Sequence, residues 1–160
     1  MDRRSLLVSS LFAGAALAAG EAHAQDAADI PKRFAATLSA GDMQAFAALF
    51  ADDYVNHQVS AAAPARASAF AKQATVSFFT QRVEALAHLR VRIEASLAQG
   101  DLCAASFRYE GVHRAVYYGV APTGRKLRFT SCDIFKVVDG KIVEHWGMGD
   151  IAGVLAQLKG

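Results

Sequence analysis

Between Gly119 and Asp150 the chain reads GVAPTGRKLRFTSCDIFKVVDGKIVEHWGMGD, and two acids within it, Asp133 and Glu144, fall among aromatic and aliphatic residues. A carboxylate that loses its hydration among apolar groups becomes a stronger proton acceptor, so acids in such a setting are candidates for general acid–base work. Which way each acid points depends on the hairpin that carries it. Asp139-Gly140 separates two alternating runs, and an Asp-Gly pair supplies the positive φ angles of a two-residue type I′ turn. Strands from about Arg125 to Val138 and from Lys141 to Met148 then set Phe135 opposite Glu144, Asp133 opposite Trp146 and Ser131 opposite Met148. Directly opposed residues share a face. The buried face is therefore expected to carry Phe129, Ser131, Asp133, Phe135, Val137, Ile142, Glu144, Trp146 and Met148. His145 falls on the other face with Cys132, Ile134 and Lys136, which excludes it from the interior and suggests surface or dimer contact.

Two readings stand for each acid. It is either an acid or base working in a pocket, or one member of a buried network with Arg, Tyr or His. Glu144, nearer the turn, suits the structural part, and Asp133, opposite the single Trp, suits the chemical one. Ser131 shares the face of Asp133, but no His is expected there to activate it, so a Ser-His-Asp hydrolase is unsupported. The chain has no His-x-His, His-x-x-x-His or Cys-His cluster, and no metal site is expected.

The elements that must position these residues show in the periodicity. Ile30, Phe34 and Leu38 recur every fourth residue in a helix that Gly41 ends, and Asp42 can cap a short second helix carrying Met43, Phe46, Leu49 and Phe50. A polar corner, Asp52 to Gln58, and an Ala-rich loop from Ser60 to Ala69 precede a third helix predicted over Arg66 to Ala87, with the stripe Ala71, Thr75, Phe78, Phe79, Arg82, Val83 and Leu86. His57 sits at that corner, where it either points toward the pocket mouth or ties the loop to the sheet. His88 is expected at the end of the third helix, where the dipole favours it without any function. Beyond Leu89 the period changes to two: Leu89 to Leu97 and Leu102 to Tyr118 read as strands, the second interrupted at Gly111, and Ile151 to Leu158 as a closing helix. Front helices over a curved antiparallel sheet make an α+β domain, a cone enclosing an apolar pocket.

The first 24 residues have a basic start, an apolar stretch from Leu6 to Ala19 and a small-residue site at Ala22-His23-Ala24, the pattern of a secretory signal. Arg3-Arg4 also fits a twin-arginine signal, with an ordinary export signal as the alternative. Residues 25–160 are then a single exported domain, periplasmic or secreted, with no remaining membrane association. The charged residues of the leader cancel, leaving the formal net charge of +2, and no basic run or aromatic-interleaved stripe suggests nucleic acid as a partner. Cys103 and Cys132 can either oxidise after export or remain buried thiols.

The corner Phe50-Ala51-Asp52-Asp53-Tyr54-Val55-Asn56-His57, the segment Gly111-Val112-His113, the loop Gly119 to Arg125, and Asp139 to Trp146 with Asp150 resemble the SnoaL-like polyketide cyclases, or ester cyclases, of the nuclear transport factor 2-like superfamily, which includes ketosteroid isomerase. The resemblance covers essentially all of residues 25–160. It implies a conical α+β barrel, usually dimeric through the sheet, that closes a ring by an intramolecular aldol step without metal or organic cofactor. It further implies that Asp133 and His113 are polar cavity residues, with Asn56 and His57 at the opposite wall. Asp133 then suits the catalytic base, and His113 is either the donor or proton shuttle or a satisfied polar residue at a bulge, with Tyr54 at the corner and Phe129, Phe135, Glu144 and Trp146 of the hairpin face expected around the substrate. Arg114 and Ala115 stand where a small polar residue and Gly are common. The expected activity is enolisation of a small hydrophobic carbonyl compound, in a cyclase, isomerase or lyase. The alternative is a non-catalytic protein of the same fold that binds a small apolar ligand.

Overall fold

The computed structural model describes residues 25–58 and 70–160. The leader-like residues 1–24, the Ala-rich loop and the first residues expected of the third helix lie outside them. The elements in chain order are α1 (residues 25–40), α2 (Met43–Ala47), β1 (Phe50–Asn56), α3 (Ala71–Ala85), β2 (Leu86–Gln99), β3 (Leu102–His113), β4 (Lys126–Val138), β5 (Lys141–Gly149) and α4 (Ile151–Lys159). The strands form one open sheet in the order β1-β5-β4-β3-β2. All neighbours are antiparallel except β1 and β5, which run parallel, so the sheet is mixed. No described helix is long and apolar enough to cross a membrane.

Several boundaries differ from expectation: α2 ends at Ala47, ahead of Leu49 and Phe50, and β3 ends at His113 rather than at Tyr118. The corner at Asp52 to Asn56 is an edge strand, whose parallel partner β5 lies far along the chain and so leaves no local signal. The third helix ends at Ala85, and His88 belongs to β2 with φ of 55° rather than to a helix end.

The concave face of the sheet packs on the helices through an aromatic core. Phe34 of α1 is its hub, with ring centroids 5.0–5.3 Å from Phe46, Phe79, Phe107 and Phe135. Edge-to-face and tilted pairs at this spacing add to the burial of the rings themselves. Along β4 burial alternates strictly: Leu127, Phe129, Ser131, Asp133, Phe135 and Val137 point inward.

The hairpin turn forms at Asp139 and Gly140, with φ of 49° and 68°, and sets Val138 opposite Lys141 and Val137 opposite Ile142. There the expected register stops. Val143 is an extra residue, a β-bulge, after which Lys136 faces Glu144, Phe135 faces His145, Ile134 faces Trp146 and Asp133 faces Gly147. A one-residue slip sends every following side chain to the opposite face. Glu144, Trp146 and Met148 therefore lie outside, contrary to expectation, with Met148 77% exposed. His145, expected outside, is an interior residue at 2%.

Candidate active site

The bulge builds the site, because it turns the His145 ring over Gly147 toward Asp133. His145 Nε2 lies 2.8 Å from Asp133 Oδ1 and its Nδ1 lies 3.0 Å from the Tyr54 hydroxyl. A Cβ on Gly147 would come within 2.5 Å of Asp133 Oδ1 and 2.7 Å of His145 Nε2, so glycine is the residue that lets the pair meet. Tyr54 is delivered by β1, the strand that the sequence pattern hid.

The network has a direction. The Asn56 side-chain oxygen accepts from the Gln58 backbone N–H at 2.9 Å, which turns the amide so that Nδ2 donates to Thr75 Oγ1 at 3.2 Å. Thr75 donates to the Tyr54 oxygen at 3.4 Å, Tyr54 to His145 Nδ1, and the Nε2–H of His145 to Asp133. Ser131 donates to the other carboxylate oxygen at 2.6 Å. The chain of donors ends on Asp133, as an ionised carboxylate requires. Two bonds occupy about half of the roughly four lone-pair sites of a carboxylate, which leaves room to receive a substrate proton. Burial raises the Tyr54 phenol above its ordinary range, while Thr75 pulls it down and Asp133 pushes it up, so Tyr54 serves as a neutral donor.

A second group of polar side chains lies farther along the same inner face and is not closed. Arg82, on the buried stripe of α3, is 5% exposed, and its carbon Cζ sits 4.6–5.2 Å from the ring centroids of Phe78, Phe79, Tyr109 and Phe129. Among the described residues its only hydrogen bond is from Nε to the Tyr117 hydroxyl at 3.0 Å, and no carboxylate pairs with it. Burial works against its charge, but the hydroxyls of Tyr117, Tyr109 and Tyr118 more than compensate, and Arg82 stays protonated. Tyr109 stacks on Phe129 at 5.0 Å, and its buried hydroxyl has no hydrogen-bond partner among the described residues. Burial raises the Tyr109 phenol, Arg82 lowers it, Asp133 raises it and the nearby Ser131 hydroxyl, outside hydrogen-bond geometry, lowers it, so the phenol lies in the fields of the cation and the carboxylate together.

Asp133 and His113 are not neighbours. Asp133 is paired with Ala105, eight residues from His113 along β3, or roughly 25 Å of strand. His113 Nδ1 accepts from the Thr123 backbone N–H at 3.1 Å and lies 3.0 Å from its hydroxyl, which leaves a buried Nε2–H without a partner among the described residues. Tyr54 and the half-buried Asn56 belong to the Asp133 network, Phe135 is buried against the His145 ring at 4.9 Å, and Phe129 is buried against Tyr109. His57 and Glu144 pair outside at 2.8 Å, with Lys136 joining Glu144 at 3.1 Å and Trp146 stacked on the His57 ring at 4.4 Å. The hydrogen bond from His57, then that from Lys136, holds the Glu144 carboxyl below its usual range, as befits a structural ion pair.

The sequence pattern passed over His145, Arg82, Tyr109 and Thr75. Arg82 and Thr75 carried a visible signal, being polar residues on the apolar stripe of α3; His145 carried none, since its face depends on the bulge. No cluster of described His, Cys, Asp or Glu residues could hold a metal ion. Both cysteines are free, Cys103 buried with its thiol pushed up to about 12 by burial, and Cys132 exposed on the outer face.

The model of the SnoaL-like polyketide cyclases matches residues 28–158. Among solved structures, AclR of Streptomyces galilaeus, a candidate hydroxylase, is 21% identical with a TM-score of 0.71, over 85% of this chain and 97% of that one. IdmH of Streptomyces antibioticus, a candidate polyketide cyclase, is 27% identical with a TM-score of 0.66, over 83% and 98%. A SnoaL-like polyketide cyclase of Agrobacterium tumefaciens is 15% identical with a TM-score of 0.63, over 81% and 95%. Among proteins with curated functions none matches this sequence.

Proposed function

Because the chain belongs to the SnoaL-like polyketide cyclase family, we propose that it enolises a small hydrophobic carbonyl compound with Asp133 as the base, as a step toward ring closure or isomerisation. The observation that carries this is the buried carboxylate of Asp133 at the receiving end of a directed hydrogen-bond chain, with an unpaired hydroxyl on Tyr109 along the same face. Asp133 removes a proton next to the carbonyl. His145 and Ser131 hold the carboxylate in place, so little reorganisation accompanies the transfer. Tyr109 donates to the oxygen on which enolate charge develops, and the neighbouring Arg82 cation favours that charge. The carbanion then attacks a second carbonyl of the same molecule, or is reprotonated elsewhere. Ser131 and Asp133 keep 8% and 5% exposure while Phe107 and Tyr109 keep none, so the carboxylate side is the less sealed part of this interior.

The test is deuterium uptake next to the carbonyl in a panel of aromatic and alicyclic β-keto esters, with and without a second, free carboxylate on the molecule, using wild type and Asp133→Asn. Uptake that depends on Asp133 supports the enzyme. Ligand-induced thermal stabilisation with no uptake by any panel member would sink it in favour of a binding protein of the same fold.

This proposal includes a homodimer through the outer face of the sheet. Leu97, Ala104, Ile134 and Trp146 form one cross-strand row over β2, β3, β4 and β5, and Leu97, Ile134 and Trp146 are 69%, 45% and 37% exposed. An apolar row of this kind is what a second sheet covers. Ile134→Lys should shift the sedimentation coefficient toward the monomer; an unchanged value argues against this interface. The leader-like N-terminus supports delivery outside the cytoplasm, which fractionation of cells with and without residues 1–24 checks.

A further inference from the structure

We propose that the natural substrate carries a carboxylate, and that Arg82 is the group that binds it. This deepens the enolisation reading and rests on it for the direction in which the substrate lies, with its reacting carbon at Asp133 and its anionic end at Arg82.

A buried charge without a counter-ion costs several kcal/mol, and proteins meet that cost by pairing it. Arg82 is the only buried Arg or Lys among the described residues, and no acid pairs with it. Outside the described residues, 59–69 contain no Asp or Glu, and the only acids are Asp2 and Glu21 of the leader-like segment. The aromatic rings and the Tyr117 oxygen hold the cation in position, yet they use only the Nε–H, leaving the four Nη–H donors of the guanidinium fork free among the described residues. The adjacent Tyr109 hydroxyl also has no hydrogen-bond partner among the described residues. What is missing is therefore acceptors and negative charge together.

A carboxylate fits on both counts. Its two oxygens match the planar fork of a guanidinium in a bidentate pair, and its single charge balances one cation. A phosphate dianion would leave one charge uncompensated beside a single Arg, and a neutral ester would leave the cation unpaired. The rings of Phe78, Phe79, Tyr109 and Phe129 around the cation suit a substrate with a flat apolar body. Arg82 on this account is a specificity-determining residue: it discriminates the free acid from its ester.

The experiment is calorimetric titration of wild type with two pairs of probes that cannot enolise, benzoate and methyl benzoate, 2-naphthoate and methyl 2-naphthoate. At least one acid should bind tenfold or more tightly than its ester. Arg82→Gln should weaken acid binding at least tenfold while leaving the ester within about threefold, and Arg82→Lys, which keeps the charge but not the fork, should fall between. Should Arg82→Gln fail to fold, NMR of ring-labelled tyrosine in wild type takes its place: the acid should move the Tyr109 and Tyr117 signals and the ester should not. An ester that binds as well as its acid in both pairs overturns the proposal, as does acid binding that ignores Arg82 or leaves both tyrosines unmoved. These probes require no chemistry, so their failure with Asp133-dependent deuterium uptake intact removes only the carboxylate, while their success without uptake removes only the enolisation.

Discussion

The inner face of the sheet holds two polar clusters that differ in one respect. Around Asp133 every polar group is engaged: Asn56, Thr75, Tyr54, His145 and Ser131 form a chain whose donors all run toward one carboxylate. Around Arg82 the groups are buried to a similar degree, yet among the described residues the Tyr109 hydroxyl has no hydrogen-bond partner and the guanidinium bonds only through Nε. Burying polar groups without partners is costly in both places, so the difference has a physical meaning. A closed network fixes its own geometry and serves to position a base. An open one keeps its bonding capacity for something that arrives. The pairing of a fixed acceptor with unspent donors is what an enolisation site requires, since the proton leaves toward one and the charge gathers at the other.

The largest effect should come from cutting the closed cluster at its end. Asp133→Asn should lower deuterium uptake by about 10²- to 10⁴-fold, the usual weight of a general base. It should leave folding intact, because an amide can still accept from His145 while its NH₂ donates to a reoriented Ser131 hydroxyl. A denaturation midpoint close to wild type is the control.

In the open cluster, Tyr109→Phe should reduce uptake by about 10²- to 10³-fold, as loss of one donor to a developing oxyanion does. It should also raise stability slightly or leave it unchanged, since it deletes an unpaired buried hydroxyl. A clear loss of stability, measured by urea unfolding, would mean that Tyr109 is satisfied in the folded protein and does not wait for substrate.

Gly147→Ala strikes the contact itself. The added methyl must displace Asp133 or His145, whose side chains are the atoms in its way. Overpacking of this kind costs about 1–3 kcal/mol, and activity should fall well beyond what that loss of folded protein explains. Farther from the chemistry, Tyr54→Phe leaves His145 Nδ1 unpaired at a cost of about 1–3 kcal/mol in stability, with a smaller loss of uptake than Tyr109→Phe.

The mildest perturbation is alkali. Burial raises the phenols of Tyr54, Tyr109 and Tyr117 above the ordinary value of 10.0, Tyr117 to about 12. A raised folded-state value means that the native protein holds these protons more tightly than the unfolded chain. The stability they contribute is present below about pH 10 and is lost as pH climbs through the folded values. Phenolate absorbance from these three rings should therefore appear late and together with unfolding.

The outer face shows why part of the site was hidden in the sequence. The alternation along β4 was legible residue by residue, and Phe129, Ser131, Asp133 and Phe135 point where the pattern places them. The same alternation failed on β5 after Ile142. A bulge at Val143 has no sequence mark of its own, and Trp146 looked like the better interior residue than His145. Its indole finds its partner outside, on His57, a contact made only because β1 lies beside β5. His113 was picked by resemblance, and its distance from Asp133 depends on strand pairings that residue types do not declare.

By itself the sequence determined the α+β class, the turn at Asp139-Gly140 and the inward acid at Asp133, because each follows from local periodicity or from the φ angles that particular residues accept. Only the tertiary structure decided that His145 rather than Glu144 joins Asp133, that Tyr54 closes that chain, and that Arg82 and Tyr109 remain open. Those outcomes depend on a one-residue bulge and on a parallel pairing between distant strands, and such non-local contacts carry no period that a chain read in order can display.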